Sequence, residues 1–253
     1  MSNITISFSL NRLVTTDSQC RNGGVGSLCY GWIMSGDRTI TTGEFYHVYN
    51  RGVAKQPIFH DERDFRQFLT SLSFYLEEPP LPGLSAAKKR PDELSDYLGT
   101  VPSAPLVRIH AYCLMQNHFH LIVEQLADGG LSTFLRRVQL SYTRYYNTRH
   151  RRVGPLLQGA YQFVRIGNDE QLLHVSRYIH LNDFVAKLSA RPGEYVWSSL
   201  PAFYAGTSSR LCRPDFILGI AGGGERYRAF VEDYASYAQD LHVFKEALID
   251  IAD

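Results

Sequence analysis

The chain has 253 residues, enough for one large domain or a domain with additions. Hydrophobic residues make up 44%, which excludes wholesale disorder. Lys plus Arg is 26 and Asp plus Glu is 25, so the net charge of +1 names no partner. The distribution says more. Between Gly129 and Asn168 there is no acid, but there are arginines at 136, 137, 144, 149, 151, 152 and 165. The segment from Asp215 to Asp253 is acidic. Cys20, Cys29, Cys113 and Cys212 form no C-x-x-C pair, so neither a zinc knuckle nor a redox motif is indicated. Reduced thiols and a cytoplasmic location are expected. No apolar run is long enough to span a bilayer, and the N-terminus lacks a signal-peptide pattern, so no membrane is expected.

Residues 1–42, rich in Ser, Thr, Asn and Gly, read as an N-terminal extension. Gly43 to Asn50 is aromatic and β-branched and reads as a first strand. Asp61 to Leu76 follows as an amphipathic helix, with Asp61 its N-cap. Residues 77–105 hold Pro79, Pro80, Pro82, Pro91, Pro102 and Pro105, which predicts a long irregular insertion. Leu106 to Met115 and Phe119 to Glu124 read as two strands, joined at Gln116-Asn117 in a tight hairpin. A helix over Leu131 to Asn147, a basic loop and a strand over Ala160 to Ile166 come next. Asn168 or Asp169 then caps a helix to about Asn182. The order is β-α-β-β-α-β plus a helix, which predicts an α+β, ferredoxin-like antiparallel sheet over about residues 43–167, within a domain of 43–204. Residues 205–253 read as a C-terminal extension, looser at first and helical from about Tyr227 to Ala238.

The chemistry concentrates in two places. His118-Phe119-His120 lies on a strand, where alternation turns both imidazoles to one face as half of a metal site. On the last helix Tyr178 and Asn182 are an i, i+4 pair. An Asn182 amide oxygen would complete a divalent-cation site, with the Tyr178 phenol beside it as a nucleophile. Each piece alone is commonplace, and the conjunction gives it weight. His180 falls on another helix face, and Asn117 reads as a turn residue. The arginines at 136–165, interleaved with Tyr142, Tyr145, Tyr146 and Tyr161, point to a nucleic-acid partner. For Tyr142 and Tyr145 individually, a core position is expected.

At these residues the sequence resembles the single-tyrosine HUH transposases (U, a bulky hydrophobic residue), an IS200-like family. It is most similar to their REP-associated branch. Phe45 to Gly52 resembles the opening strand, Phe59 and Asp61 to Phe68 the stretch after it, and Tyr112 to Ile122 the HUH strand with its lead-in. Gly154 to Val164 resembles the approach to the last strand, Tyr178 to Asn182 the tyrosine helix, and Trp197-Ser198-Ser199 the segment beyond. Gln116, Ala160 and Asp183 depart from residues usual in the family, and bear on DNA affinity more than on chemistry.

The resemblance implies an enzyme that binds single-stranded DNA hairpins such as REP-like palindromes, and cleaves and rejoins them through a 5′-phosphotyrosine. It implies Tyr178 as nucleophile, and His118, His120 and Asn182 as ligands of Mg2+ or Mn2+. DNA contacts are expected from Arg136, Arg137, Arg144, Arg149, Arg151, Arg152, Arg165 and Tyr161, and from loop 77–105. A monomer is expected in preference to a homodimer. The alternative is a non-catalytic DNA or RNA hairpin-binding protein derived from such a transposase. A helicase-linked initiator is disfavoured, because the chain has no P-loop.

Overall fold

Among the described residues, four strands form one antiparallel sheet, in the order β2-β3-β1-β4. A computed structural model describes residues 39–79 and 83–250. Most of the predicted N-terminal extension, with Cys20 and Cys29, lies outside the described residues. The strands are β1 (Phe45–Arg51), β2 (Val107–Met115), β3 (His118–Gln125) and β4 (Gln162–Ile166). Helix α1 (Glu62–Phe74) follows β1, and α2 (Leu84–Ala87) and α3 (Pro91–Gly99) lie in the insertion. Helix α4 (Gly130–Arg149) joins β3 to β4, and α5 (Asp169–Val185) follows β4. The expected α+β, ferredoxin-like order is present.

Side-chain alternation sorts the sheet into two faces. Tyr46, Val48, Phe119, Leu121 and Val123 pack with Phe68 and Leu72 of α1 and with Phe134, Leu135 and Val138 of α4. Ala111, Cys113, Met115, Ile122 and Ile166 line the opposite face, beneath Leu172, Ile179 and Phe184 of α5. Helices α6 (Leu200–Ala205), α7 (Asp215–Ala221) and α8 (Gly224–Asp250) extend this second core. The looser tail expected after residue 204 is therefore mostly helical and packs on α5. The apolar spacing of Ile217, Leu218, Tyr227 and Val231 supplies its buried side. Cys113 and Cys212 are buried free thiols.

Local chemistry accounts for the boundaries. Asp61 caps α1 by accepting from the N–H groups of Arg63 and Asp64. Asn168 caps α5 through the N–H of Gln171. The insertion differs from expectation, because α2 and α3 occupy much of it. Pro91 stands in the first turn of α3, where a missing N–H breaks no helical bond. The neck of the insertion is closed by a bridge between Glu77 and Pro105. The Arg210 side chain, nearly buried, bonds Glu77 and the carbonyls of Ser73 and Thr100, and lies over the Tyr97 ring. The outer edge of β2 is covered by the Trp197-Ser198-Ser199 segment, whose Trp197 stacks on Phe65 with centroids 4.7 Å apart. Among the described residues, no helix is long and apolar enough to cross a membrane.

Candidate active site

The β2–β3 hairpin is held in place by the chain that leaves β1. Gly52 N–H donates to the carbonyl of Asn117, and the N–H groups of Ile58 and Phe59 both donate to that of Gln116. This approach is close enough to demand glycine. A Cβ on Gly52 would stand 2.1 Å from the Gln56 carbonyl oxygen. The carbonyl of Lys55, in the same turn, accepts from Asn117 Nδ2 at 3.0 Å.

That bond decides the state of His118. With its amide nitrogen committed to Lys55, Asn117 presents Oδ1 to His118 Nδ1 at 2.6 Å. His118 Nδ1 must therefore carry the hydrogen, and Nε2 keeps a lone pair for a cation. His120 is treated similarly from the other side. Its Nδ1 lies 2.9 Å from Nε2 of His47, on the neighbouring strand. Ligation through His120 Nε2 requires the shared hydrogen to sit on His120 Nδ1. Metal-binding histidines are commonly oriented by such partners. Burial holds His47 down to about 4. Burial, with help from the Arg51 guanidinium, holds His118 at about 4, and burial pushes His120 well below the usual imidazole range. All three rings are neutral at pH 7, as ligation requires.

Helix α5 brings the tyrosine to this pair within one chain. The Tyr178 ring meets His120 edge-on at 5.8 Å between centroids and His47 at 6.1 Å, and it is 44% exposed. Asn182 follows one turn later. Its Nδ2 donates to the carbonyls of Tyr178 and Ile179 at 2.8 and 3.4 Å, so Oδ1 is the atom it can offer a cation. Two imidazole nitrogens and an amide oxygen suit a divalent ion that keeps positions for phosphate oxygens. Among the described residues no cluster of three or more His, Cys, Asp or Glu is arranged for a metal.

The far side of α5 is anchored. His180 is fully buried between Tyr227 OH at 2.7 Å and Ser199 Oγ at 2.8 Å, and Tyr227 OH donates to Ser176. Ser199 Oγ accepts from the N–H of Tyr112 on β2. Burial holds His180 neutral, at about 3. Arg177, beside the tyrosine, is clasped between the rings of Phe230 and Tyr234 at 4.0 and 4.1 Å. His180 is thus a structural residue, and α8 fixes the helix that carries Tyr178.

The structure groups the expected site residues unevenly. His118, His120 and Tyr178 come together, with Asn182 next along the helix. The expected DNA contacts do not join them. Arg136, Arg137 and Arg144 stand on α4, over the opposite sheet face from α5. Tyr161 bonds Ser132 of α4, and Arg165 pairs with Glu44. Arg149 is engaged by Asp61 and Asp64, and Arg137 by Glu78. The arginine run is therefore partly compensated by acids distant in sequence, which its local composition hides. Arg151 and Arg152 lie just after α4, and Arg152 Nη1 is buried without a hydrogen-bond partner. Tyr142 is core, its hydroxyl donating to the Ile58 carbonyl at 2.5 Å, and Tyr145 is half-buried. Sequence reasoning missed His47 and Arg51. Both stand in the β1 stretch matched to the opening strand. Arg51 pairs in register with His118 and bonds Gln158.

Residues 87–182 match the family described as "Transposase IS200 like". No curated protein matches the chain. A solved structure described as the REP associates tyrosine transposase bound to a REP hairpin is similar at a TM-score of 0.48 and 14% identity, covering 72% of this chain and 93% of that one. The span matched by the family, residues 87–182, holds His118, His120, Tyr178 and Asn182.

Proposed function

We propose that this chain is a metal-dependent transposase acting on single-stranded, hairpin-forming DNA through a 5′-phosphotyrosine link. The observation that carries the reading is the placement of Tyr178 against His120 in its own chain, with the Nδ1 of both ligand histidines already engaged. His118, His120 and Asn182 would hold Mg2+ or Mn2+. Such an ion, when bound, polarises the scissile phosphate and stabilises developing charge.

The residues of the chain do the rest. Tyr178 Oη gives its proton to solvent and attacks phosphorus, forming a tyrosyl phosphodiester to the 5′ side while the bond to the 3′ oxygen breaks. The departing oxygen takes up a proton as a 3′-OH. In the reverse sense, a 3′-OH attacks the same phosphorus and releases the tyrosine. The bond energy stays in the ester, so no nucleotide cofactor enters. The half-exposed Tyr178 lets a strand approach, and Arg51 beside His118 supplies a fixed cation for a flanking phosphate. With tyrosine and histidines in one subunit, a monomer is sufficient for cleavage.

The test is incubation with labelled single-stranded hairpin DNA and Mn2+, followed by denaturing electrophoresis. A covalent adduct is expected from the wild type with metal, and none with chelator. Hairpin binding without adduct, across a broad hairpin set, would replace this reading with that of a non-catalytic hairpin-binding protein.

A further inference from the structure

The insertion and α4 line an open cleft of about 1100 Å³ on the side of the sheet opposite Tyr178. Its charge is specific. Lys89 from the turn after α2, and Arg137 and Arg144 from α4, converge on it. Its one carboxylate, Glu78, is gripped through both oxygens by Arg137 and so is neutralised. Lys89 and Arg144 are exposed and have no ion-pair partner among the described residues. The hydroxyl-bearing Ser141 and Thr143 lie between the cations. Leu140 stands midway between the two arginines and is 62% exposed.

Like charges drawn into one concavity repel unless a polyanion neutralises them. Lys89 and Arg144 stand on the two walls of the cleft, one from the insertion and one from α4. Two unpaired cations facing one concavity, with the exposed Leu140 and neutral hydroxyl donors alongside, suit an extended nucleic-acid strand. Its phosphates would meet the guanidinium and ammonium groups, and a sugar or base would cover Leu140.

We propose that this cleft is a second nucleic-acid backbone site, remote from the cleavage centre and built by the insertion. The identity of the ligand as DNA rests on the function proposed above. The cleft binds without reading sequence, because it offers charge and hydroxyl donors to the backbone. It would hold DNA flanking the strand at Tyr178, and the DNA would pass around the sheet to reach both faces.

The test is the salt dependence of affinity for a fluorescent hairpin with long single-stranded flanks. It compares the wild type, the Lys89→Glu/Arg144→Glu double variant, and Arg63→Glu as a control on exposed α1 surface outside the cleft. The double variant should bind at least about tenfold more weakly at moderate salt. Its slope of log affinity against log salt should fall by about 1.4, from two lost phosphate contacts to a single strand. Arg63→Glu should change the slope by less than half as much. Wild-type binding with equal affinity and slope in the double variant would overturn the second site while leaving the proposed function standing. No binding of any nucleic acid by the wild type would overturn both. The substituted side chains are exposed, so folding is checked by matching circular dichroism and melting curves.

Discussion

Nε2 of His47 stands 2.9 Å from Nδ1 of His120, on adjacent strands and with both rings buried. This contact turns a pair of strand histidines into an oriented site. It fixes the ring of His120 and, with the shared hydrogen on Nδ1, leaves the Nε2 lone pair for a cation. His118 obtains the same service from Asn117, so each of the two proposed ligand rings has its own orienting partner.

Replacement of His47 should therefore weaken the cation before it harms the fold. His47→Leu removes the acceptor while keeping bulk, and Mn2+ affinity should fall by about 10-fold or more. His47→Gln, which retains an acceptor, should recover part of that loss. Titration calorimetry or the Mn2+ resonance signal measures both. Equal affinity in all three proteins would remove His47 from this role.

Gly52 should be sensitive for a steric reason alone. Its φ is −63°, which alanine accepts, but the added Cβ would meet the Gln56 carbonyl. Gly52→Ala should lower stability by about 1–3 kcal/mol through backbone displacement. It should also reduce Mn2+ affinity, because the Lys55 carbonyl orients Asn117 and thereby His118. Urea denaturation and the same metal titration check the two effects. A destabilised variant with undiminished metal affinity would break the link from turn to ligand.

The metal-free protein should be acid-labile in a defined window. His47, His118, His120 and His180 are all held below the ordinary imidazole value by burial. The unfolded chain takes up these protons near pH 6.5, and the native state does not until about pH 4 or lower. Stability is thus complete above about 6.5 and declines as pH falls towards 4, with a slope of about 1.4 kcal/mol per pH unit for each histidine kept neutral. Urea midpoints collected across that range measure it. A flat profile from about pH 7 to 5 would mean that these rings protonate freely in the native protein.

Arg149 and Arg144 should separate cleanly, although both belong to the basic stretch. Arg149 joins the α4 C-terminus to Asp61 and the fully buried Asp64, which also meets His150 at 3.0 Å. Arg149→Met should lower the thermal midpoint and leave hairpin affinity unchanged at temperatures where it is folded. Arg144→Ala should do the reverse. Melting curves and binding isotherms on the two variants check this, and the opposite pattern would return Arg149 to the DNA surface.

Much of the fold was legible because the periodicities are strong. The alternation in β1, β2 and β3, the Asp61 and Asn168 caps, and the i, i+4 relation of Tyr178 to Asn182 are all local. What escaped depends on the third dimension. Helix α3 lies in a proline-rich stretch, but Pro91 sits in its first turn, where a helix tolerates it. His47 carries no H-x-H signature, and its role follows only from the β1–β3 register, which sets Tyr49 opposite His120. The arginine run looked uncompensated because Glu44, Asp61, Asp64 and Glu78 are far away in sequence and arrive by folding. The buried side of α5 likewise needed α8, whose Tyr227 completes the His180 network.

The central claim is that Tyr178 is the nucleophile at a cation site built by His118, His120 and Asn182. The most direct measurement is mass spectrometry of the proteolysed covalent adduct formed with single-stranded hairpin DNA and Mn2+. A 5′-linked nucleotide is expected on the peptide containing Tyr178, absent with chelator and absent in Tyr178→Phe. A nucleotide on any other residue, or an adduct that persists in Tyr178→Phe, would contradict it.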